Sequence, residues 1–200
     1  GYRAVLVDLR GHGFSSDAKL TYGVQEAQDL SLVVDSLEAN QLIVGRLGVY
    51  GFSYGAASAV QFAAYDPRVD AVVAVAPFAS LRRAAAYLAQ TRIPWGRNWM
   101  TPQRVDEALA VASEEAQFDI DQADTRKAIQ RTQAPVLLVH GTGDRVVQHQ
   151  NSFDLHFSSA GNSELRIIPG ATHNDLNTDK NGTVASLASE WFEMHLTAES

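Results

Sequence analysis

Five short apolar runs, separated by segments of helical periodicity, restrict this chain to very few architectures. They are YRAVLVDL (2–9), LGVYG (47–51), VDAVVAVAPF (69–78), APVLLVHG (134–141) and ELRIIPG (164–170). None alternates strictly between apolar and polar residues, the pattern of strands covered on both faces. Between the first two runs, Val24, Ala27, Leu30, Val34 and Leu37 recur every three or four residues, as one face of a helix requires. Alanine-rich residues 54–65 predict a second helix, and 148–160 a third that stops at Gly161, where a left-handed cap is easy. A last helix over 183–196 carries Val184, Leu187, Trp191 and His195 on one face. Strand–helix alternation of this kind means an α/β fold: a mostly parallel sheet with right-handed crossovers, flanked by helices. Residues 79–132 break the rhythm. They contain no strand, helical stretches near 103–116 and 122–131, and no linker composition. We read them as a helical lid inserted into a single domain spanning 1–200.

Size and charge narrow the function classes. Two hundred residues, 46% apolar and 20% charged, suffice for one substantial core and set the expectation of a soluble protein, with the cytoplasm favoured. A net charge of -7 argues against nucleic acid and anionic membrane surfaces as partners. The longest apolar run, 71–79, is far short of the ~20 residues of a membrane span. The absence of cysteine excludes disulfides, thiolate metal sites and cysteine nucleophiles.

Chemistry enters at VYGFSYGAAS (49–58). Gly51-Phe52-Ser53-Tyr54-Gly55 follows a predicted strand and opens a predicted helix, the setting of a nucleophile elbow. The two glycines remove side chains where strand and helix meet in a tight turn, and the serine hydroxyl is displayed above the sheet. The backbone amide of Tyr54, at the positive end of its helix, is placed to donate to an oxyanion. A serine needs a base, and the base an orienting acid, in the chain order serine, acid, histidine for such elbows. His12 and His140 fail that order, His149 and His156 fall in a predicted helix, and His195 in the last one. His173, in IIPGATHND past a strand end, is the candidate base. Asp144, in the loop after the 134–141 strand, is the candidate acid, with Asp175 the runner-up. Asp8 precedes the serine, and Asp119, Asp121 and Asp124 lie in the insertion.

DLRGHGFSS (8–16), TYGVQEAQDL (21–30), GFSYG (51–55), HGTGDRVV (140–147) and GATHNDL (170–176) together resemble the α/β-hydrolase superfamily over nearly the whole chain. The chain is most similar to the bacterial branch related to S9 and S33 peptidase-like and esterase-like serine hydrolases. The resemblance implies the triad Ser53, Asp144 and His173, and acyl transfer to water with no cofactor and no metal. It implies a small ester, amide or short peptide as substrate. It also implies a structural loop at 8–16 held by Arg10 and His12. Members of the superfamily carry a further strand and a His-Gly loop ahead of the position of Gly1, so the fold is expected to be N-terminally truncated here. The second oxyanion donor is then not in this chain. Loss of one such donor lowers the rate about 100- to 1000-fold. Two alternatives stand beside hydrolysis: a non-catalytic hydrolase-fold binding protein, and an acyltransferase on the same residues.

Other features carry less. Tyr87, Trp95 and Trp99, with Met100, either line an acyl pocket beneath the lid or fix the lid to the body. NTDKNG (177–182) resembles the start of a calcium loop, but its twelfth position is Ala188, where a bidentate glutamate is needed. Glu26 and Asp29 fall on the polar side of a helix and are expected to be solvated or locally paired.

Overall fold

Why the apolar runs lack alternation is plain in the computed structural model, which describes residues 2–43, 45–93 and 99–197. Among the described residues four strands, β1 (Leu47–Phe52), β2 (Val69–Val75), β3 (Val136–Gly141) and β4 (Ser163–Ile168), form one parallel sheet in the order β1-β2-β3-β4. The register pairs Val49 with Val72, Ala74 with Leu138, and Leu138 with Leu165. Successive side chains point to opposite faces; in the central strands β2 and β3 both faces are buried, while the edge strands β1 and β4 are only partly covered. Val72, Ala74, Val136 and Leu138 pack into one cluster, while Ala71, Val73, Val75, Leu137 and Val139 pack into another.

Helices cover each face. On the first lie α1 (Val24–Ala39), α2 (Tyr54–Tyr65), α5 (Thr125–Arg131) and α6 (Gln150–Ser158), supplying Val34, Val60, Phe62, Ile129 and Leu155. On the second lie α7 (His173–Thr178) and α8 (Thr183–Leu196), supplying Leu176, Val184, Ala188 and Trp191. Small alanines at 56, 57, 59 and 63 let α2 lie close beneath β1 and β2. The NTDKNG stretch serves as a helix start: the Asp179 carboxylate accepts from the amides of Val184 (3.0 Å) and Ala185 (2.8 Å) at the first turn of α8.

The segment between β2 and β3 is helical. It holds α3 (Leu81–Arg92), α4 (Pro102–Glu115), a 3-10 turn (Ile120–Gln122) and α5. Thr101 caps α4, accepting from the Arg104 amide at 3.3 Å, with Pro102 in the first turn where its missing N–H costs nothing. Phe78, Leu81, Ala123 and Val147 form a third cluster with Ala57, beyond the ends of β2 and β3. The last part of the segment is different, because Ala128 and Ile129 of α5 are fully buried in the main core.

Residues 2–9 correct the sequence reading: they form no strand. Valine and leucine favour extended backbone, but a strand also needs a neighbour to complete its ladder. Among the described residues, the backbone groups of 2–8 bond to no other backbone group. Side chains hold the segment instead. Arg3 donates to the Leu42 carbonyl at 2.6 Å, and the Tyr2 ring meets Phe192 edge-on at 6.3 Å. Leu6 is left exposed. The predicted strand 69–78 is also shorter, because Ala76 turns into the left-handed region at φ 51°.

Candidate active site

Parallel strands deliver their C-terminal loops to one rim of the sheet, the usual location of sites in open α/β sheets. Ser53 follows β1 directly, Asp144 lies three residues past β3, and His173 lies five past β4. The structure brings these three side chains together. His173 Nδ1 is 2.6 Å from Asp144 Oδ2, and His173 Nε2 is 3.1 Å from Ser53 Oγ. A carboxylate only accepts, so Nδ1 carries the proton towards Asp144. In the neutral ring Nε2 is then the acceptor for the serine hydroxyl.

Local backbone geometry explains the display of Ser53. Its φ of 52° and ψ of -112° lie where a residue with a Cβ is rarely found, so the turn must be enforced by its surroundings. The Ser53 amide donates to the Val75 carbonyl at 2.8 Å, pinning the turn to the end of β2. At Gly51 a methyl group would collide with the Gly55 carbonyl. Gly55 itself differs from expectation, since a Cβ there would meet nothing within 4 Å. Tyr54 opens α2, and its amide makes no hydrogen bond among the described residues, as befits a first-turn N–H.

Asp144 is held on all sides. Its side chain is wholly buried, and Oδ1 accepts from the amides of Val146 (2.8 Å) and Val147 (2.9 Å). Burial works to raise its pKa, but the bonds from His140, His173 and those amides outweigh it, leaving the carboxyl well below the usual range. It is therefore an anion at neutral pH. His140, excluded above by chain order, turns out to be a neighbour of this acid. It is buried, its Nε2 donates to the Val147 carbonyl at 2.9 Å and lies 3.4 Å from Asp144 Oδ2, and its Nδ1 meets Ser152 Oγ at 2.7 Å. His173 begins α7 rather than sitting in a loose loop, with its ring 4.7 Å from that of Phe52. Asp175 faces away. It accepts from the Thr172 amide (3.0 Å) and hydroxyl (2.6 Å) in a capping box at the start of α7.

The supporting loop 8–16 is anchored as the resemblance implies. Arg10 holds Asp29 with two bonds, 2.6 and 2.7 Å, while His12 Nδ1 lies 3.1 Å from the Arg10 carbonyl and its ring is 5.2 Å from that of Tyr54. Asp29 is thus locally paired. Glu26 is not solvated: it is fully buried, and its carboxylate accepts from Thr21, Gly23 and the Tyr54 hydroxyl. Sequence reasoning missed it, although Gly23-x-x-Glu26 at a helix start is the spacing of a capping box.

The three pocket candidates diverge. Tyr87 borders a shallow open cleft with Arg83, Val146, Gln148 and Asn151, and its hydroxyl donates to the Arg145 carbonyl at 3.2 Å. It adjoins the acid loop rather than Ser53. Trp99 is exposed, with the Arg104 guanidinium 4.6 Å from its ring centre, a surface position rather than a pocket wall. Trp95 lies outside the described residues. Among the described residues no cluster of three or more histidine, aspartate or glutamate side chains is arranged to hold a metal ion, and no helix is long and apolar enough to cross a membrane.

Comparison with known proteins gives this geometry a context. The sequence model of the prolyl oligopeptidase family, the S9 peptidases, matches residues 1–199. An uncharacterised Bacillus subtilis protein, YqkD, is 26% identical over 177 residues, covering 86% of this chain and 56% of its own length. The chain therefore spans little more than half the length of this relative. An esterase of Pyrococcus furiosus, Pf2001, superposes with a TM-score of 0.69 at 20% identity, over 94% of this chain and 69% of that one. The α/β hydrolase GrgF of a Penicillium species superposes at 0.67 and 17% identity, over 94% of this chain and 78% of that one. At these identities the two structures show a shared fold.

Proposed function

This chain belongs to the prolyl oligopeptidase family and has an α/β-hydrolase fold, and from that membership we propose that it hydrolyses a carboxylic ester or amide bond through an acyl-enzyme on Ser53. One observation carries the reading: the single imidazole of His173 lies within hydrogen-bond distance of both the Ser53 hydroxyl and the buried Asp144 carboxylate. In the proposed reaction His173 Nε2 takes the Ser53 proton as Oγ attacks the substrate carbonyl. The tetrahedral oxyanion receives a hydrogen bond from the Tyr54 amide. Asp144 holds Nδ1–H and stabilises the imidazolium. His173 then returns the proton to the departing alkoxide or amine. Water, deprotonated by the same nitrogen, attacks the acyl-enzyme and frees the acid and Ser53.

The helices α3 and α4, packed beyond the strand ends, are proposed as the cover over the site. The substrates in view are small esters, amides or short peptides. A panel of p-nitrophenyl esters and aminoacyl anilides, assayed on wild type and Ser53→Ala, tests the reading and sorts esterase from peptidase. Turnover of at least one class that disappears in Ser53→Ala is expected. Equal turnover by the two proteins would overturn the assignment.

A further inference from the structure

Glu26 is built into the elbow more firmly than a helix cap requires. A capping glutamate needs only to bond the backbone at the start of its own helix. Here Oε2 accepts from the Gly23 amide (2.8 Å) and the Thr21 hydroxyl (2.6 Å), and Oε1 accepts from the Thr21 amide (2.9 Å). The fourth donor comes from another element: the Tyr54 hydroxyl, at 2.7 Å. That hydroxyl in turn accepts from the Tyr22 amide at 3.1 Å, so the phenol is fixed from two sides. No cation lies within ion-pair distance of Glu26 among the described residues. Arg10 lies near enough to feel the Glu26 charge but makes no ion pair with it, so the buried carboxylate depends chiefly on these four donors.

Tyr54 is the residue next to the strained Ser53. A left-handed serine persists only while its surroundings over-determine it. Anchoring the Tyr54 side chain fixes the Cα that follows Ser53 and the orientation of the Tyr54 amide. We propose that Glu26 is a positioning residue: through the Tyr54 phenol it keeps Ser53 in its left-handed turn and the Tyr54 amide aimed at the forming oxyanion. This rests on Ser53 being the nucleophile.

Glu26→Gln, Tyr54→Phe and the double variant test it in the full-length protein, with p-nitrophenyl acetate as substrate. Tyr54→Phe is the informative variant, because it leaves all three cap bonds of Glu26 in place. Each single variant is expected to lower kcat about 10- to 100-fold with KM nearly unchanged, and the double variant to fall no further than the worse single. Full kcat in Tyr54→Phe, with only a lowered Tm in Glu26→Gln, would reduce Glu26 to a cap and overturn the proposal. A crystal structure of Tyr54→Phe gives a readout independent of activity. Departure of Ser53 from positive φ supports the clamp, even if wild type proves to use another nucleophile; an unmoved Ser53 contradicts it.

Discussion

Ser53 occupies a conformation that a side chain enters only when its neighbours leave no alternative, and those neighbours are few enough to test singly. Gly51 is one, since any Cβ there meets the Gly55 carbonyl. Gly51→Ala should lower Tm and abolish reaction with a fluorophosphonate, whereas Gly55→Ala, with open space at its Cβ, should keep both close to wild type. Asp144 is another. Asp144→Asn preserves shape but offers an amide in place of an anion, reversing the preferred imidazole tautomer. We expect kcat to fall by about 10⁴ with a far smaller change in KM, measured on the best ester substrate. At this scale much of the site was legible. Gly-x-Ser-x-Gly after an apolar run marks an elbow, and only one histidine follows a strand end downstream of a suitable aspartate. Glu26 was not legible as buried, because helical periodicity ranks it with the polar face. The Gly23-x-x-Glu26 spacing was a local clue to its cap, but the Tyr54 hydroxyl, 28 residues away, is recorded by no local pattern.

Between elements, charged side chains do the joining. Arg68, in the turn between α2 and β2, bonds Asp66 as well as Asp35 and Glu38 on α1. The Arg68 guanidinium is the main cause that holds the buried Asp66 carboxyl down, at about 2, against the opposing effect of burial. A depressed folded-state pKa stabilises the fold above the unfolded value of about 3.9, and that contribution drains away as pH falls towards 2. Asp66→Asn should therefore lose about 2 kcal/mol near neutrality and show a shallower loss of stability between pH 4 and 2, read from urea unfolding at a series of pH values. The failure at residues 2–9 belongs to this scale too. The run has strand composition, yet strand formation is a property of a pair of segments, and composition describes only one. The same holds at the end of β2, where the positive φ of Ala76 stops a run that apolarity alone would extend.

Across the whole molecule, the order of strands follows the order of the chain, and each crossover helix falls on the face that its apolar stripe demands. This was readable, because unbroken valine-rich runs separated by helical periodicity admit little besides a parallel sheet. The division of residues 79–132 was not, since helices that pack beyond the strand ends and a helix that enters the core share one composition. Ile129→Ala separates the two parts: on a crossover helix within the core it should cost about 2–5 kcal/mol of stability while leaving kcat near wild type at temperatures where the protein is folded. The central claim concerns a covalent bond. Rapid-quench mass spectrometry of the full-length protein with p-nitrophenyl acetate observes that bond directly. The account predicts an acetyl group on the Ser53 peptide, formed with a burst of nitrophenol and absent in Ser53→Ala. Turnover that continues undiminished in that variant, or acetyl on a different side chain of the competent enzyme, would contradict it.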